Sequence, residues 1–454
     1  MSDTVSTYSG WLFLCALLVY GFFQIYSLVF ADDPNRLRKG YANLALVFGF
    51  AFTFWVRVPN ETPKNSFNFP IDPPAHSPAP ILPREAPNTY FPTSSLLPQT
   101  PNSPPTLFFT GDLNPAPADP PPTLFFTGDI NPAPPNSPPI RLLFTGDINP
   151  GRCPAQIALA LVNDDFTLPY QAVADELRAA DITIGSLDGS ISDKSPPSPC
   201  PQTMNLIGPS RTVEGLQFAG FDVITVATNH AKDCGALGWG CDNQSLLDTL
   251  RYLSEAGIQP VGAGESLASA RAPVIVERQG VRFAFLGVTE VGPETWASQS
   301  LPGTAPLSDE ALPAIIADIA AARAEADVVV VLTQWGIEYE TAPTPDQMRW
   351  AGEMTAAGAT LIVGNHPHVV QAVETFHGGQ VVAYALGNFV FDQHPRLARQ
   401  GVVFEAVFQG GALERWELHP IHIYNFHQPR WAEPGEAVAI LTRIEAASAE
   451  LPDR

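Results

Sequence analysis

The sequence predicts an α/β domain from residue 140 to about 425. Two observations predict it. Short apolar runs, each the length of a buried strand, alternate with segments that carry apolar residues at i, i+3 and i+4. Polar residues able to hold a cation or move a proton fall at the ends of several of those runs, where ligands bind in open α/β sheets. The 454 residues suffice for one large domain with appendages, and 45% hydrophobic residues suffice for its core.

The strand-like runs are RLLFTGDI, ADITIGSLDG, FDVITVATNH, VRFAFLGVT, ADVVVVLTQWG, ATLIVGNHPH, QVVAYALGNFVF, GVVFEAVF and LERWELHPIHI. Such runs read as strands covered on both faces. The helical patterns are PYQAVADELRAA, TVEGLQFAG, NQSLLDTLRYLSEAG, SDEALPAIIADIAAARAEA and TPDQMRWAGEMTAAG. Gly220, Gly257 and Gly358 follow three of them, where a left-handed residue ends a helix. Residues 426–454 read as a tail with a short helix.

Upstream the composition changes. Most of the 47 prolines precede residue 150, a density that a packed core does not tolerate. Residues 59–139 read as a disordered, polyproline-like linker, extended at about 3.1 Å per residue. It contains two copies of TLFFTGD, ending at Asp112 and Asp129, ahead of the RLLFTGD that ends at Asp147. Only the third copy runs on into a globular pattern, so the first two read as products of local duplication.

Before the linker lie two uncharged apolar stretches, 11–30 and 41–56. Twenty helical residues span about 30 Å, the thickness of the bilayer hydrocarbon. Arg36, Arg38 and Lys39 between them place that loop in the cytoplasm, which exports everything after residue 57. A signal peptide cut after Ala31 is the alternative, and it also exports the remainder. The expected location is the cell membrane with the domain extracytoplasmic. The net charge of −22, spread over a chain with 15% charged residues, excludes nucleic acid as a partner. Low lysine with abundant Ala, Val and Gly fits a bacterial source. Four cysteines fall in the exported part, and an oxidising compartment favours pairing. Cys234–Cys241, a short loop closure, and Cys153–Cys200 are the favoured bridges among three connectivities, with four free thiols as the alternative.

Asp147, Asp188, Asn229 with His230, Gln334, and His366 with His368 each end a different run. Singly, each has a structural explanation: a turn former, a polar strand end, a core histidine. Two histidines two residues apart on extended chain face one side and can chelate. Six polar ends meeting at one rim form a far more specific pattern than any member.

In that order, GDINPGR, ADITIGSLDGSISD, FDVITVATNHAKDCGALG, TQWGIEY, VGNHPHVVQAVE and ALGNFVFDQ resemble the CapA family of capsule and poly-γ-glutamate synthesis proteins. The domain of that family is similar to the calcineurin-type metallophosphoesterases, which implies an αββα sandwich. The resemblance implies a divalent metal (Mn, Fe or Zn, one or two ions) held by Asp147, Asp188, Asn229, Gln334, His366 and His368. It implies His230 as acid to a leaving group and Arg152 as anion binder, with Glu338, Asn365, Asn388 and Asp392 at the rim. Asp188, Gln334 and Asn365 stand where relatives carry Glu, His and His. The expected function is capsule polymer synthesis or export, with metal-assisted hydrolysis on an anionic polymer or phosphoester. The alternatives are a non-catalytic scaffold in a polymer synthase complex and a secreted metallophosphoesterase of unrelated substrate.

Overall fold

In a computed structural model, the structure describes residues 138–161, 164–194, 200, 204–234 and 243–452. The two apolar runs and the two upstream TLFFTGD copies lie outside them. Among the described residues, no helix is long and apolar enough to cross a membrane.

The main strands are β1 (Ile140–Ile148), β2 (Ile182–Leu187), β3 (Val223–Thr225), β4 (Gln259–Val261), β5 (Val274–Arg278), β6 (Val281–Thr289) and β7 (Val328–Gln334). They continue with β8 (Leu361–Asn365), β9 (Val373–Thr375), β10 (Val381–Ala383), β11 (Asn388–Val390), β12 (Gln400–Gln409), β13 (Ala412–Tyr424) and β14 (Gln428–Trp431). The helices are α1 (Arg152–Leu161), α2 (Ala174–Arg178), α3 (Thr212–Ala219), α4 (Gln244–Glu255), α5 (Leu267–Arg271), α6 (Leu312–Glu325), α7 (Pro345–Ala356) and α8 (Pro434–Ala449). This is a mixed α/β fold.

The strands form two large sheets, ordered β14-β13-β12-β1-β2-β3-β4 and β9-β10-β8-β7-β6-β5, with β11 pairing the end of β1. β1 to β4 run parallel in the first sheet, and β6, β7, β8 and β10 in the second. Side-chain alternation decides what each face meets. Leu142 and Phe144 of β1 and Phe404 and Phe408 of β12 share one core with Phe283, Phe285, Val330 and Leu332 of the other sheet. The rings of Phe283 and Phe408 meet edge to face at 5.3 Å between centroids. Burying each such ring contributes about 1.5–3 kcal/mol. Leu143 points the other way, into a core with Leu177, Leu216, Leu246 and Leu253 from the helices. On the far side of the second sheet, Val329 and Val331 pack with Ile315, Ile319, Trp350 and Met354 of α6 and α7.

Gly220, Gly257 and Gly358 all have positive φ after their helices, as their positions predict. Thr344 and Gln347 form a reciprocal capping box at the start of α7. Three segments depart from expectation, the last being residues 426–454, which are not a tail with a short helix. The helix predicted over 169–180 is a 3-10 turn at Leu168–Tyr170 followed by the short α2. The run 380–391 is two strands, β10 and β11, in different sheets. Gly387, at φ +73°, makes the turn between them, a conformation that a side chain would strain. Residues 434–449 form the 16-residue helix α8, which puts Ala437, Ile440, Leu441 and Ile444 into the core between the sheets.

Candidate metal centre

The parallel strands β1, β2, β3, β7 and β8 bring their carboxyl ends together. β1 brings Asp147, which is fully buried. Gly146 has to be glycine there, because a Cβ would overlap the Gly387 carbonyl. Oδ1 of Asp147 accepts hydrogen bonds from Ser186 Oγ at 3.0 Å and from Gln334 Nε2, across the two sheets, at 2.6 Å. Oδ2 accepts from the His366 backbone N–H at 3.2 Å and lies 3.7 Å from His368 Nδ1. Asp188, just beyond β2 and 1% exposed, accepts from the Thr228 hydroxyl. Asp147, Asp188 and His368 each present a donor atom within 4.8 Å of the others.

The two histidines are not on extended chain, as their spacing alone suggests. His366 and His368 have φ of +97° and +59°, and their rings lie 6.1 Å apart. Arg152 and Tyr339, both at the cleft, also have positive φ. Each such residue costs roughly 1–2 kcal/mol in backbone sterics, and strain of this kind gathers at functional sites. Asn388 Nδ2 donates to Ala398 O at 2.8 Å, which aims Asn388 Oδ1 at His368 Nδ1, 2.9 Å away. That fixes the proton on Nδ1 and leaves Nε2 as the lone-pair donor, the usual support of a ligating histidine.

Electrostatics sharpen the picture. Burial, then the charge of Asp188, pushes the Asp147 carboxyl well above the usual carboxylate range, against its three hydrogen bonds. Burial pushes on Asp188 too, but His230, His368 and the Thr228 hydroxyl bring it below its ordinary value. Burial, with the neighbouring His368, lowers His366 to about 4, and burial lowers His368 as well, so both imidazoles are neutral near pH 7. Among the described residues, no Lys or Arg forms an ion pair with Asp147 or Asp188. Two buried amide oxygens, Gln334 Oε1 and Asn365 Oδ1, have no hydrogen-bond donor. They belong to residues paired in register at the ends of β7 and β8. Two buried carboxylates that share only the His230 imidazolium (beside Asp188), the neutral His366 and His368, and the unsatisfied amide oxygens together fit a divalent cation.

The other expected residues lie around this centre. Asn229 Oδ1 is 3.3 Å from the Thr228 hydroxyl, the one link described between it and Asp188. His230 hydrogen-bonds through Nδ1 to Asp233 Oδ2 at 2.7 Å. Burial would lower it, but Asp188 and Asp233 override that and raise it to about 9, so it is protonated near pH 7. Arg152 reaches the cleft with its guanidinium forked onto Asp392, Nε lying 3.0 and 3.1 Å from the two carboxylate oxygens. Asp392 is 1% exposed and also accepts from Asn149 Nδ2 and the Cys153 N–H, so it anchors the start of α1. Glu338 is exposed and lines the cleft, about 240 Å³ in volume, with Arg152, His230, Tyr339, His368 and His394. Cys153 and Cys200 are bridged, and Cys234 is disulfide-bonded, while Cys241 lies outside the described residues.

Sequence reasoning missed Ser186, Thr228 and Asp233. The first two orient the carboxylates, and the third orients His230. Ser186 and Asp188 are two apart at one strand end, and that spacing was the available signal.

Fold and site together define an α/β domain with a buried acid–histidine centre at the ends of its parallel strands. Residues 141–393 match the model of the family described as "Bacterial capsule synthesis protein PGA_cap", and the chain belongs to that family. It is 32% identical over 257 residues to the PGA biosynthesis protein CapA of Bacillus subtilis, covering 56% of this chain and 65% of that one. It is 34% identical over 231 residues to the capsule biosynthesis protein CapA of Bacillus anthracis, covering 49% and 54%. A probable polyglutamine synthesis accessory protein of Mycobacterium tuberculosis is 30% identical over 179 residues, 37% of this chain and 45% of that one. The chain therefore spans between about half and two thirds of the length of these relatives.

Proposed function

We propose that the protein acts in the synthesis or export of a capsule polymer of the poly-γ-glutamate type, through a metallophosphoesterase-like domain that binds a divalent metal. The observation that carries this is the buried set Asp147, Asp188 and His368, with two unpaired amide oxygens beside it and, among the described residues, no Arg or Lys ion-paired to it. The family and its named relatives supply the polymer. In this reading the helix, sheet, sheet, helix layering is the αββα sandwich of that superfamily. In the same reading residues 11–30 and 41–56 anchor the chain in the membrane, and 59–139 are the linker to the domain. Membrane-embedded subunits of a polymer synthase are then the natural partners.

Asp147, Asp188 and His368 would hold the metal, with Gln334, Asn365, His366 and Asn229 as further oxygen and nitrogen donors around them. The metal, when bound, supplies Lewis-acid activation of water or of a substrate oxygen. His230, protonated and oriented by Asp233, donates its Nε2 proton to a leaving oxygen at the cleft floor. Arg152 and His230 are the cationic groups of a cleft in an otherwise acidic chain, and they would attract the anionic end of the substrate. Asp392 keeps Arg152 pointed there.

Elemental analysis of the chain purified without chelator tests the proposal: near-stoichiometric Mn, Fe or Zn is expected, and its absence would remove the metal. Hydrolysis of a generic phosphodiester with Mn²⁺, lost in His230→Ala, would establish catalysis. One observation favours a second reading. Neutral amides at 334 and 365 make the donor set weaker than one built on histidines, so metal retained without hydrolysis would identify a scaffold in the synthase complex.

A further inference from the structure

The two upstream copies of the β1 sequence have no part in the function above, yet they retain the residues that the β1 position demands. β1 lies between β2 and β12. Its slot requires Leu142 and Phe144 for the core between the sheets, glycine at 146 against the Gly387 carbonyl, and Asp147 at the strand end. The second copy supplies Leu124, Phe126, Gly128 and Asp129 at the same spacing, then Asn131 and Pro132 as in Asn149-Pro150. The first copy does the same from Leu107 to Pro115. Identity stops where the next constraint begins. Position 151 must be glycine because a Cβ would overlap the Ile207 carbonyl, and the copies have Ala116 and Ala133 there.

We propose that the slot between β2 and β12 accepts any of the three segments, and that the chain can slip by one whole repeat so that residues 123–130 take the place of β1. Ordinary slippage by one residue turns every side chain to the wrong face. A slip of one repeat, 18 residues from Asp129 to Asp147, leaves every facing unchanged. Residues 133–150 then loop out before Gly151, and the entropic cost of a surface loop grows slowly with its length. Three differences explain why the third copy holds the slot. Arg141, which pairs with Glu176 and Glu405 at 2.6 and 2.8 Å, is Thr in the copies. Leu143, fully buried against the helices, is Phe, an overpacking change. Ile140 is Pro, tolerable only as the first residue of a strand. The copies are thus weaker but competent strands, and the slipped register becomes populated when the third copy is damaged. This inference is independent of whether the domain binds metal.

The test uses the full chain. Gly146→Val expels the third copy. The variant is expected to keep a single cooperative melt at a lowered midpoint, whereas Gly111→Val/Gly128→Val/Gly146→Val loses it. Arg141 faces Val407 in the native register, so Thr123→Cys with Val407→Cys reports the slip directly. Under oxidising conditions the 123–407 bridge, located by peptide mapping within one chain, should form several-fold more in the Gly146→Val background than with Gly146 intact. Gly146→Val melting like the triple variant, no increase in that bridge, or a bridge found only between two chains would overturn the proposal. So would loss of the melt in Gly111→Val/Gly128→Val with Gly146 intact, since the copies would then be part of the native fold.

Discussion

Two acid–histidine groups in this domain look alike in composition and differ in what surrounds them. Asp147, Asp188 and His368 meet at the strand ends, and Glu405, Glu417 and His419 meet on the antiparallel strands β12 and β13. The second group is neutralised from within. Glu405 takes Arg141 at 2.8 Å, His419 at 3.0 Å and Arg415 at 3.6 Å, while Glu417 takes Arg415 at 3.2 Å. The first group has deeper carboxylates and no Arg or Lys partner among the described residues, and its one cationic neighbour, His230, acts on Asp188 and leaves Asp147 uncompensated. A cluster of acids therefore points to a cation only where the protein has not already supplied the positive charge.

The comparison breaks most visibly at the ligands. Asp147→Asn should weaken divalent-metal binding by at least about 100-fold, since even supporting residues around a metal contribute 10–100-fold. Glu405→Gln should leave metal content unchanged, and elemental analysis of both variants checks this. Next, chelation should lower the melting temperature of the parent by several degrees, because a ligand at about 100 times its Kd stabilises by about 2.7 kcal/mol. After chelation Asp147→Asn should melt above the parent, having lost the repulsion between two buried carboxylates. If it melts below, the acids are not in conflict. Asn388→Ala, which frees the His368 ring, should cost about 10-fold in metal affinity with little change in the chelated melt.

Glu405→Gln should cost about 2 kcal/mol near pH 7, the scale of hydrogen bonds to a charged group. Burial raises the Glu405 carboxyl, but His419 and Arg141 outweigh it and hold the group at about 2. Its stabilising contribution is therefore full above the ordinary carboxylate value and disappears as pH falls toward about 2. Chemical denaturation of parent and variant across that window should show the gap closing as acid is added. A gap that widens would mean that the pair does not hold the carboxylate ionised.

Much of the centre was legible because Asp147, Asp188, Gln334 and His368 sit at the ends of recognisable apolar runs, and parallel strands force such ends together. The helix ends at Gly220, Gly257 and Gly358 were legible for a local reason, the left-handed turn. What was not legible depends on distant partners. Arg152 looked like a free anion binder, but Asp392, some 240 residues on, holds it. The run 380–391 looked like one strand because both halves are apolar, and nothing in its composition says that they serve different sheets. His366 and His368 looked extended because their i, i+2 spacing puts both rings on one side of a strand, whereas both adopt positive φ.

The crossing of the chain at Gly387 has a mechanical consequence. One short segment belongs to both sheets, and it passes beneath the acid–histidine centre, with Asn388 in register with Asp147 on one side and Leu386 bonded to Gly364 on the other. Any sliding of one sheet over the other must stretch this tether. The separation of Asn388 from His368 then becomes a built-in gauge of whether the two halves of the sandwich are in step.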